Sequence, residues 1–302
     1  MIGLIQVDGR LPNLALMKLG AYHVSRGDEV EWYLGPLFPY DKVYASKLFS
    51  FSSQRKIPDK AIVGGTGIDF KNRLPPDIDA VDPGKGWFLY PSYPNHLGFS
   101  QIGCRLRCEF CCVPQKEGAV KPLHNIDSLL TNPNGGNRLV LLDNDFFGQP
   151  DWVDRCEEII TRKLRVSFAQ GLNIRLLTEE QAGYLSRISF WNPSFKKPQV
   201  TFAWDRHKDK TFIQRGLERC VAAGIKPYRI QFFVLIGFDS TPEEDLERVE
   251  TIRSWGADPF VMPYQKDDPY QRRFTRWVNH RAIFNTISFQ EYRNHYAAPS
   301  HH

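Results

Sequence analysis

The sequence predicts an α/β chain in two parts, a small open parallel sheet over residues 1–95 and a partly open barrel of six parallel strands over residues 96–302. Three observations carry this expectation. Short apolar runs alternate with amphipathic segments of helical length through most of the chain, the pattern of strand–helix–strand crossovers. A stretch rich in proline and glycine, "LPPDIDAVDPGKGWFLYPSYPN" (74–95), interrupts that pattern and reads as a linker, which puts the boundary near Asn95. Beyond it one strand–helix unit recurs six times in about 205 residues, short of the eight units of a closed barrel.

In the first part, "MIGLIQV" is an apolar strand. It leads to a helix over "NLALMKLGAYHVSRG", where Leu14, Met17, Ala21 and Val24 lie near one face, and then to the strand "EVEWYL". "KVYASKLF" and "KAIVGGTG" read as further buried strands ending in polar or glycine-rich turns. The "GGTG" run lacks the spacing of a dinucleotide loop and reads as a turn.

In the second part the strands are "HLGFSQI", "RLVLLDND", "RVSFAQGL", "QVTFAWD", "RIQFFVLIGF" and "PFVMPYQ". Helical segments follow at "DWVDRCEEIITRKL", "TEEQAGYLSRI", "KTFIQRGLERCVAAG" and "TPEEDLERVETIRSWG", with Thr178 and Thr241 as N-caps ahead of first-turn glutamates. "IDSLLTN" has room for barely two turns. "YQRRFTRWVNHR" sets Phe274, Trp277 and Val278 on one helical face and Arg272, Arg273 and Arg276 elsewhere, the pattern of a terminal amphipathic helix closing the barrel. A nucleic-acid surface is the alternative for this arginine-rich run, and it is not favoured. Polar residues collect at the strand ends: Asp143, Asn144 and Asp145; Gln170, Asn173 and Arg175; Asp205 and Arg206; Asp239; Tyr264 and Gln265. In parallel β/α folds the C-terminal strand ends form the active face.

The charge balance, 39 basic against 34 acidic residues, is too even to point to nucleic acid by itself. "MIGLIQVDGR" has no basic stretch followed by an apolar one, and no window approaches the ~18–20 apolar residues of a membrane span, so a cytoplasmic protein without a membrane partner is expected. In that compartment a tight cysteine cluster serves a metal or catalysis rather than a disulfide. Four of the six cysteines fall in "GCRLRCEFCCVPQKEG" (103–118), while Cys156 and Cys220 stand alone in helical segments as small hydrophobes. The terminal "PSHH" is read as an appended remnant, so no metal site is taken from His301 and His302.

Cys104, Cys108 and Cys111 are spaced x3 and x2, with Arg105 and Arg107 between the first two. Three thiolates on one loop hold three irons of a cubane and leave the fourth iron open, whereas a cluster that only carries electrons has four protein thiolates. The arginines favour thiolate over thiol. A closed zinc site takes four ligands, commonly in two close pairs, while this loop offers one run whose nearest later histidine is His124.

This spacing, with Phe110 just before the last cysteine, resembles the signature of the radical S-adenosylmethionine (radical SAM) enzymes. "LLDNDFFG", "QGLNIRLLTEEQA", "LPNLALMKLGAYH", "DKVYASKLF" and "VGGTG" are similar to segments of the branch that carries a cobalamin-binding-type domain ahead of the barrel. The resemblance implies a Rossmann-like domain followed by a partial (β/α)6 TIM-like barrel. Neither His23 nor His96 lies in the Asp-x-His-x-x-Gly context of cobalamin-ligating members, so no cobalamin is expected.

The resemblance further implies a 4Fe-4S cluster on Cys104, Cys108 and Cys111, binding of S-adenosyl-L-methionine at the open iron, reductive cleavage to a 5′-deoxyadenosyl radical, and hydrogen abstraction from an unidentified substrate. A one-electron donor such as flavodoxin or ferredoxin is the implied partner. By position, Phe110 packs beside the nucleoside, Asn144 or Asp145 holds the amine, and Arg175 pairs with the methionine carboxylate. Gly237, in "VLIGF", lies along the adenine, while Gln170 and Asn173 bind ribose or substrate or simply make turns. Cys112, where the family has a small apolar residue, is expected to be an inert packed thiol. No second cysteine set is present for an auxiliary cluster. The competing reading is a non-catalytic iron-sulfur or zinc binding protein that uses the loop as a structural staple or for nucleic-acid recognition.

Overall fold

The computed structural model describes residues 1–53 and 57–297, so the tail histidines His301 and His302 lie outside the described residues. The chain packs as two compact units, Met1–Val140 and Leu141–His302, and the division falls well after Asn95.

The first unit begins with β1 (Ile2–Gln6), α1 (Leu14–Ser25), β2 (Val30–Trp32), β3 (Lys42–Ser46) and β4 (Ile62–Gly64). These strands form one parallel sheet in the order β2-β1-β3-β4, with Ile2 opposite both Val30 and Lys42 and Tyr44 opposite Ile62. α1 starts where it does because the Asn13 side chain accepts the orphan N–H groups of Ala15 and Leu16. Its apolar residues Leu16 and Leu19 pack with Ile2 and Leu4 of β1.

The stretch read as a linker belongs to this core. It forms α2 (Pro76–Asp79) and a short 3-10 helix over Pro83–Leu89, and Ile78 and Leu89 pack in the same cluster as Leu4 and Leu16. Two glycines make the close approach possible: a Cβ on Gly86 would lie 2.5 Å from the Met17 carbonyl, and one on Gly20 would lie 2.9 Å from Leu89. Prolines and glycines removed the helical period from this segment without removing the apolar side chains that bury it. Tyr90 completes the join, receiving the Asn13 N–H at 3.0 Å and donating to Gln6 at 2.6 Å.

The rest of the unit carries β5 (His96–Gly98), β6 (Gln101–Ile102), α3 (Val113–Lys116), β7 (Lys121–Pro122), α4 (Ile126–Leu129) and β8 (Arg138–Leu141), which runs into the second unit. "HLGFSQI", expected as one strand, is divided. β5 adjoins β8, whereas β6 turns into an antiparallel pair with β7 and closes the cysteine loop at its base. His96 is buried, accepts the Asn132 N–H at 3.1 Å, and is held below the usual imidazole range by burial.

The second unit alternates helix and strand: α5 (Trp152–Thr161), β9 (Arg165–Phe168), α6 (Glu179–Arg187), β10 (Ser189–Phe190), β11 (Val200–Ala203), α7 (Lys210–Ala222), β12 (Ile230–Ile236), α8 (Pro242–Ser254), β13 (Asp258–Pro263), and then α9 (Pro269–Asn279), α10 (Arg281–Thr286) and α11 (Phe289–Ala297). β9 pairs in parallel with the short β10, and β11, β12 and β13 form a parallel ladder. A single bridge, Leu172 to Phe202, joins the chain after β9 to β11. Among the described residues the strands form separate ladders, and no closed barrel is detected. No described helix is long and apolar enough to cross a membrane.

Local signals are expressed as expected. Thr178 and Thr241 close full capping boxes with Gln181 and Glu244. On α9, Phe274, Trp277 and Val278 are at most 2% exposed, while Arg272 and Arg276 stay at the surface. Truncating such a side chain removes both transfer free energy and packing. Trp277→Ala is expected to lower unfolding free energy by about 3–5 kcal/mol, against about 0.5 kcal/mol or less for Arg276→Ala, as read from urea denaturation of the two variants. Equal losses would contradict the assigned helical face.

Candidate functional site

The cysteine loop lies wholly in the first unit. Its entry is set by Gly103, which takes φ +81°, and a Cβ there would lie 2.2 Å from the Ala119 carbonyl. Only glycine fits both the left-handed conformation and that approach. The Gly103 N–H donates to the Glu117 carboxylate at 2.8 Å and the Cys104 N–H to the Gly118 carbonyl at 3.2 Å, so the two ends of the loop are tied together. Inside it the Cys111 N–H donates to the Cys108 carbonyl at 3.0 Å, and the Leu106 N–H lies 3.4 Å from the Cys104 sulfur. The exit is α3, capped by the backbone of Cys112, whose carbonyl accepts the Lys116 N–H at 2.8 Å.

All six cysteines are thiols. Cys104, Cys108 and Cys111 are half-buried, and so is Cys112; burial does not set Cys112 apart, and its place as the cap of α3 does. Phe110 is likewise half-buried, while Arg105 and Arg107 are exposed. Cys156 and Cys220 differ in kind. Both are fully buried, and burial pushes each thiol up to about 12, which removes them from redox or metal chemistry at neutral pH.

Among the described residues no group of three or more His, Cys, Asp or Glu side chains is arranged to hold a metal ion. The three thiols suit a soft-metal group by donor chemistry, by their shared loop and by their access to solvent.

The turn read at "GGTG" has a further role in this unit. A Cβ on Gly65 would lie 2.3 Å from the Lys47 carbonyl, and one on Gly67 would lie 2.6 Å from the Phe49 backbone, so both glycines are required by the loop packed beside them. Between them Thr66 accepts Lys116 Nζ at 3.0 Å, and the Arg73 guanidinium donates to the Lys116 carbonyl. The helix that leaves the cysteines is thus latched to the first sheet's loops. Thr66 and Arg73 carried no sequence signal, because their partner lies more than forty residues away, separations of 50 and 43.

The other expected ligands belong to the second unit. Asn144 is half-buried, and Asp145 is 2% exposed at the start of a 3-10 turn, Phe146–Gly148. Gln170 is exposed. Asn173 caps the next turn, its Oδ1 accepting the Arg175 N–H at 3.1 Å, while its buried Nδ2 has no partner among the described residues. Arg175 is committed to an ion pair with Asp209 at 2.7 Å, and Asp209 also receives Arg206 at 3.0 Å. Gly237, at φ +75° just after β12, faces the Gln271 amide, where a Cβ would lie 2.1 Å from Nε2. That contact alone accounts for its glycine, since Gln271 in turn receives the Gln265 N–H at 2.9 Å.

Arg248 was not singled out by sequence, because a charged residue inside a charged helix reads as surface. It has no exposed area. Its guanidinium donates to the carbonyls of Trp204 at 3.1 Å and Asp205 at 2.7 Å, to the Ser240 hydroxyl at 3.1 Å and to Asp245 at 2.6 Å. The only hint was the i,i+3 spacing of Asp245 and Arg248. Above it, burial raises the Asp205 carboxyl from the usual 3.8 to about 6, against the pull of Arg175 and Arg248 and an N–H from Leu235.

Compared with known proteins, the chain matches no family model and no curated protein.

A carboxyl whose pKa is raised on folding binds a proton more tightly in the native state, so stability from this group falls as pH rises from about 4 to about 6. Asp205→Asn removes that dependence. The stability of the native protein relative to the variant is therefore expected to decline across this window in urea titrations, and parallel pH profiles would contradict the assignment.

Proposed function

We propose that this chain is a radical S-adenosylmethionine enzyme, with Cys104, Cys108 and Cys111 as the ligands of a 4Fe-4S cluster and an unidentified substrate. The observation that carries the reading is the cysteine loop: three thiols at x3, x2 spacing, half-buried, on a loop tied at its base by Gly103, Glu117 and the β6–β7 pair. When bound, the cluster and S-adenosylmethionine supply a one-electron reductive cleavage that yields a 5′-deoxyadenosyl radical.

The chain's own part is to bind, orient and shield. The pinned loop ends limit the conformational entropy lost when three thiolates are gathered around iron. Arg105 and Arg107 offset the negative charge that three thiolates and sulfides bring. In the second unit, Asn144 or Asp145 is assigned to the ligand's amine, and Arg175 to its carboxylate. There a carboxylate ligand shares the guanidinium with Asp209, and the bidentate geometry of arginine suits both. Gln170 and Asn173 are assigned to ribose or substrate, the buried and unpartnered Asn173 Nδ2 being a donor in waiting. The partial barrel belongs to the same proposal, supported by the strand–helix alternation and parallel pairing of the second unit. The reading needs a one-electron donor of the flavodoxin or ferredoxin kind, and it uses no cobalamin.

Anaerobic purification and reconstitution test the reading. About four irons and four sulfides per chain, with 5′-deoxyadenosine released on reduction in the presence of S-adenosylmethionine, are expected. Alanine at Cys104, Cys108 or Cys111 is expected to abolish both, while Cys112→Ala retains them. Tightly held zinc with no cleavage would sink the proposal, and loss of the cluster in Cys112→Ala alone would overturn the ligand assignment.

A further inference from the structure

The geometry points to a second ligand site in the second unit, a preformed pocket for a phosphate monoester at the N-terminal ends of β11, β12 and β13. The cavity measures about 230 Å³ and lies where Gln199, Gln231 and Asp258 begin or precede the three strands. Asp205 and Asp239, by contrast, follow β11 and β12 at their C-terminal ends. The pocket is therefore separate from the residues assigned to S-adenosylmethionine in this unit, and the inference does not rest on that function.

Its lining charge is unbalanced. The lining holds three cations, Lys197, Arg253 and Arg281, and one carboxylate, Asp258, and with the Glu250 partner of Arg253 counted one positive charge is left over. Asp258 is saturated: Lys197 Nζ lies at 2.7 Å and Gln199 Nε2 at 3.0 Å on one oxygen, and Arg281 lies at 2.8 Å on the other. Arg253 takes its neutralising partner, Glu250, one turn away on its own helix and not from the lining, and donates to the Phe284 carbonyl at 2.9 Å. Arg281 meets Asp258 through a single nitrogen while its side chain is 62% exposed, so most of its donor fork faces outward. Gln231 accepts the Thr201 hydroxyl at 3.4 Å and, among the described residues, its Nε2 has no acceptor. Two guanidiniums, an ammonium and an unused amide N–H suit the several oxygens of a dianionic phosphate better than a single carboxylate.

The walls are set in advance. Asn279 clamps the end of α9 to β13, accepting the Val261 N–H at 2.8 Å and donating to the Val261 carbonyl at 2.9 Å. Pro259, Val278 and Phe284 supply an apolar side against which the uncharged body of a phosphate ester can rest. A rigid, charged and partly apolar cavity loses little entropy on binding.

Isothermal titration at matched ionic strength tests the site, with inorganic phosphate and adenosine 5′-monophosphate as probes and adenosine as the uncharged control. Binding of a phosphate probe but not of adenosine is expected. Arg281→Gln, a substitution at the surface that leaves the core alone, is expected to weaken it about tenfold or more, the loss of one charge-assisted contact. Asp258→Asn is expected to strengthen it, because the competing carboxylate is removed while the shape is kept; a purely structural salt-bridge cluster would show no gain. Absence of binding by both phosphate probes, unchanged affinity in Arg281→Gln, or weakened affinity in a folded Asp258→Asn protein would each overturn the proposal.

Discussion

The buried guanidinium of Arg248 is the constraint on which the second unit's C-terminal strand ends depend. From α8 it reaches the carbonyls that follow β11, the Ser240 hydroxyl that follows β12, and Asp245, which also receives the Tyr270 hydroxyl of α9 at 3.1 Å. Those carbonyls lie just past Ala203, the last residue of β11 in register with β12, and an unpaired buried carbonyl is costly. A planar, permanently charged group with five donors can satisfy them together, which a lysine cannot. The contacts of its two terminal nitrogens offset the cost of desolvating the pair, while Nε has no partner among the described residues, and removing one partner from a buried pair typically loses about 3–5 kcal/mol. With Arg248 in place the turn through Asp205 and Arg206 is positioned, and with it Asp209 and Arg175.

The first unit depends on a different kind of constraint, close backbone approach. Gly86 lets the 3-10 segment lie against Met17 of α1, Gly65 and Gly67 let two loops of the parallel sheet nest, and Gly103 lets the cysteine loop close on Ala119. At each of these places a Cβ would lie within 2.6 Å of backbone, so the glycines decide which loops can meet. The same unit therefore carries both the open sheet and the thiols, and the Thr66–Lys116 contact connects one to the other.

How much of this was legible in the sequence follows from the range of the interactions. Thr178, Thr241, the apolar face of α9 and the alternation of strands with helices each depend on residues within a few positions, and they appear as read. The stretch 74–95 was misread as a linker because a broken period says nothing about burial; Ile78, Trp87 and Leu89 are at most 6% exposed. Arg175 stood out in the sequence, but its partner Asp209 is 34 positions away and the pair could not be seen from either segment. Cys112 was separated from its neighbours by analogy, and the structure distinguishes it by backbone role rather than by burial.

Legible in the sequence were the class, a parallel α/β chain, the caps at Thr178 and Thr241, the buried face of α9 and the spacing of three thiols on one loop, whereas the face read for α1 included Val24, which is 48% exposed. All of these are properties of short segments, set by local hydrogen bonding and by the periods of helix and strand. Folding in three dimensions was needed to bury a mid-helix arginine, to make the proline-rich stretch part of the core, and to bring Lys197 and Arg281 together on Asp258, 61 residues from Lys197. Ion pairs and cavities arise where strand ends and loops distant in sequence are brought together, and that juxtaposition exists only once the sheets have formed.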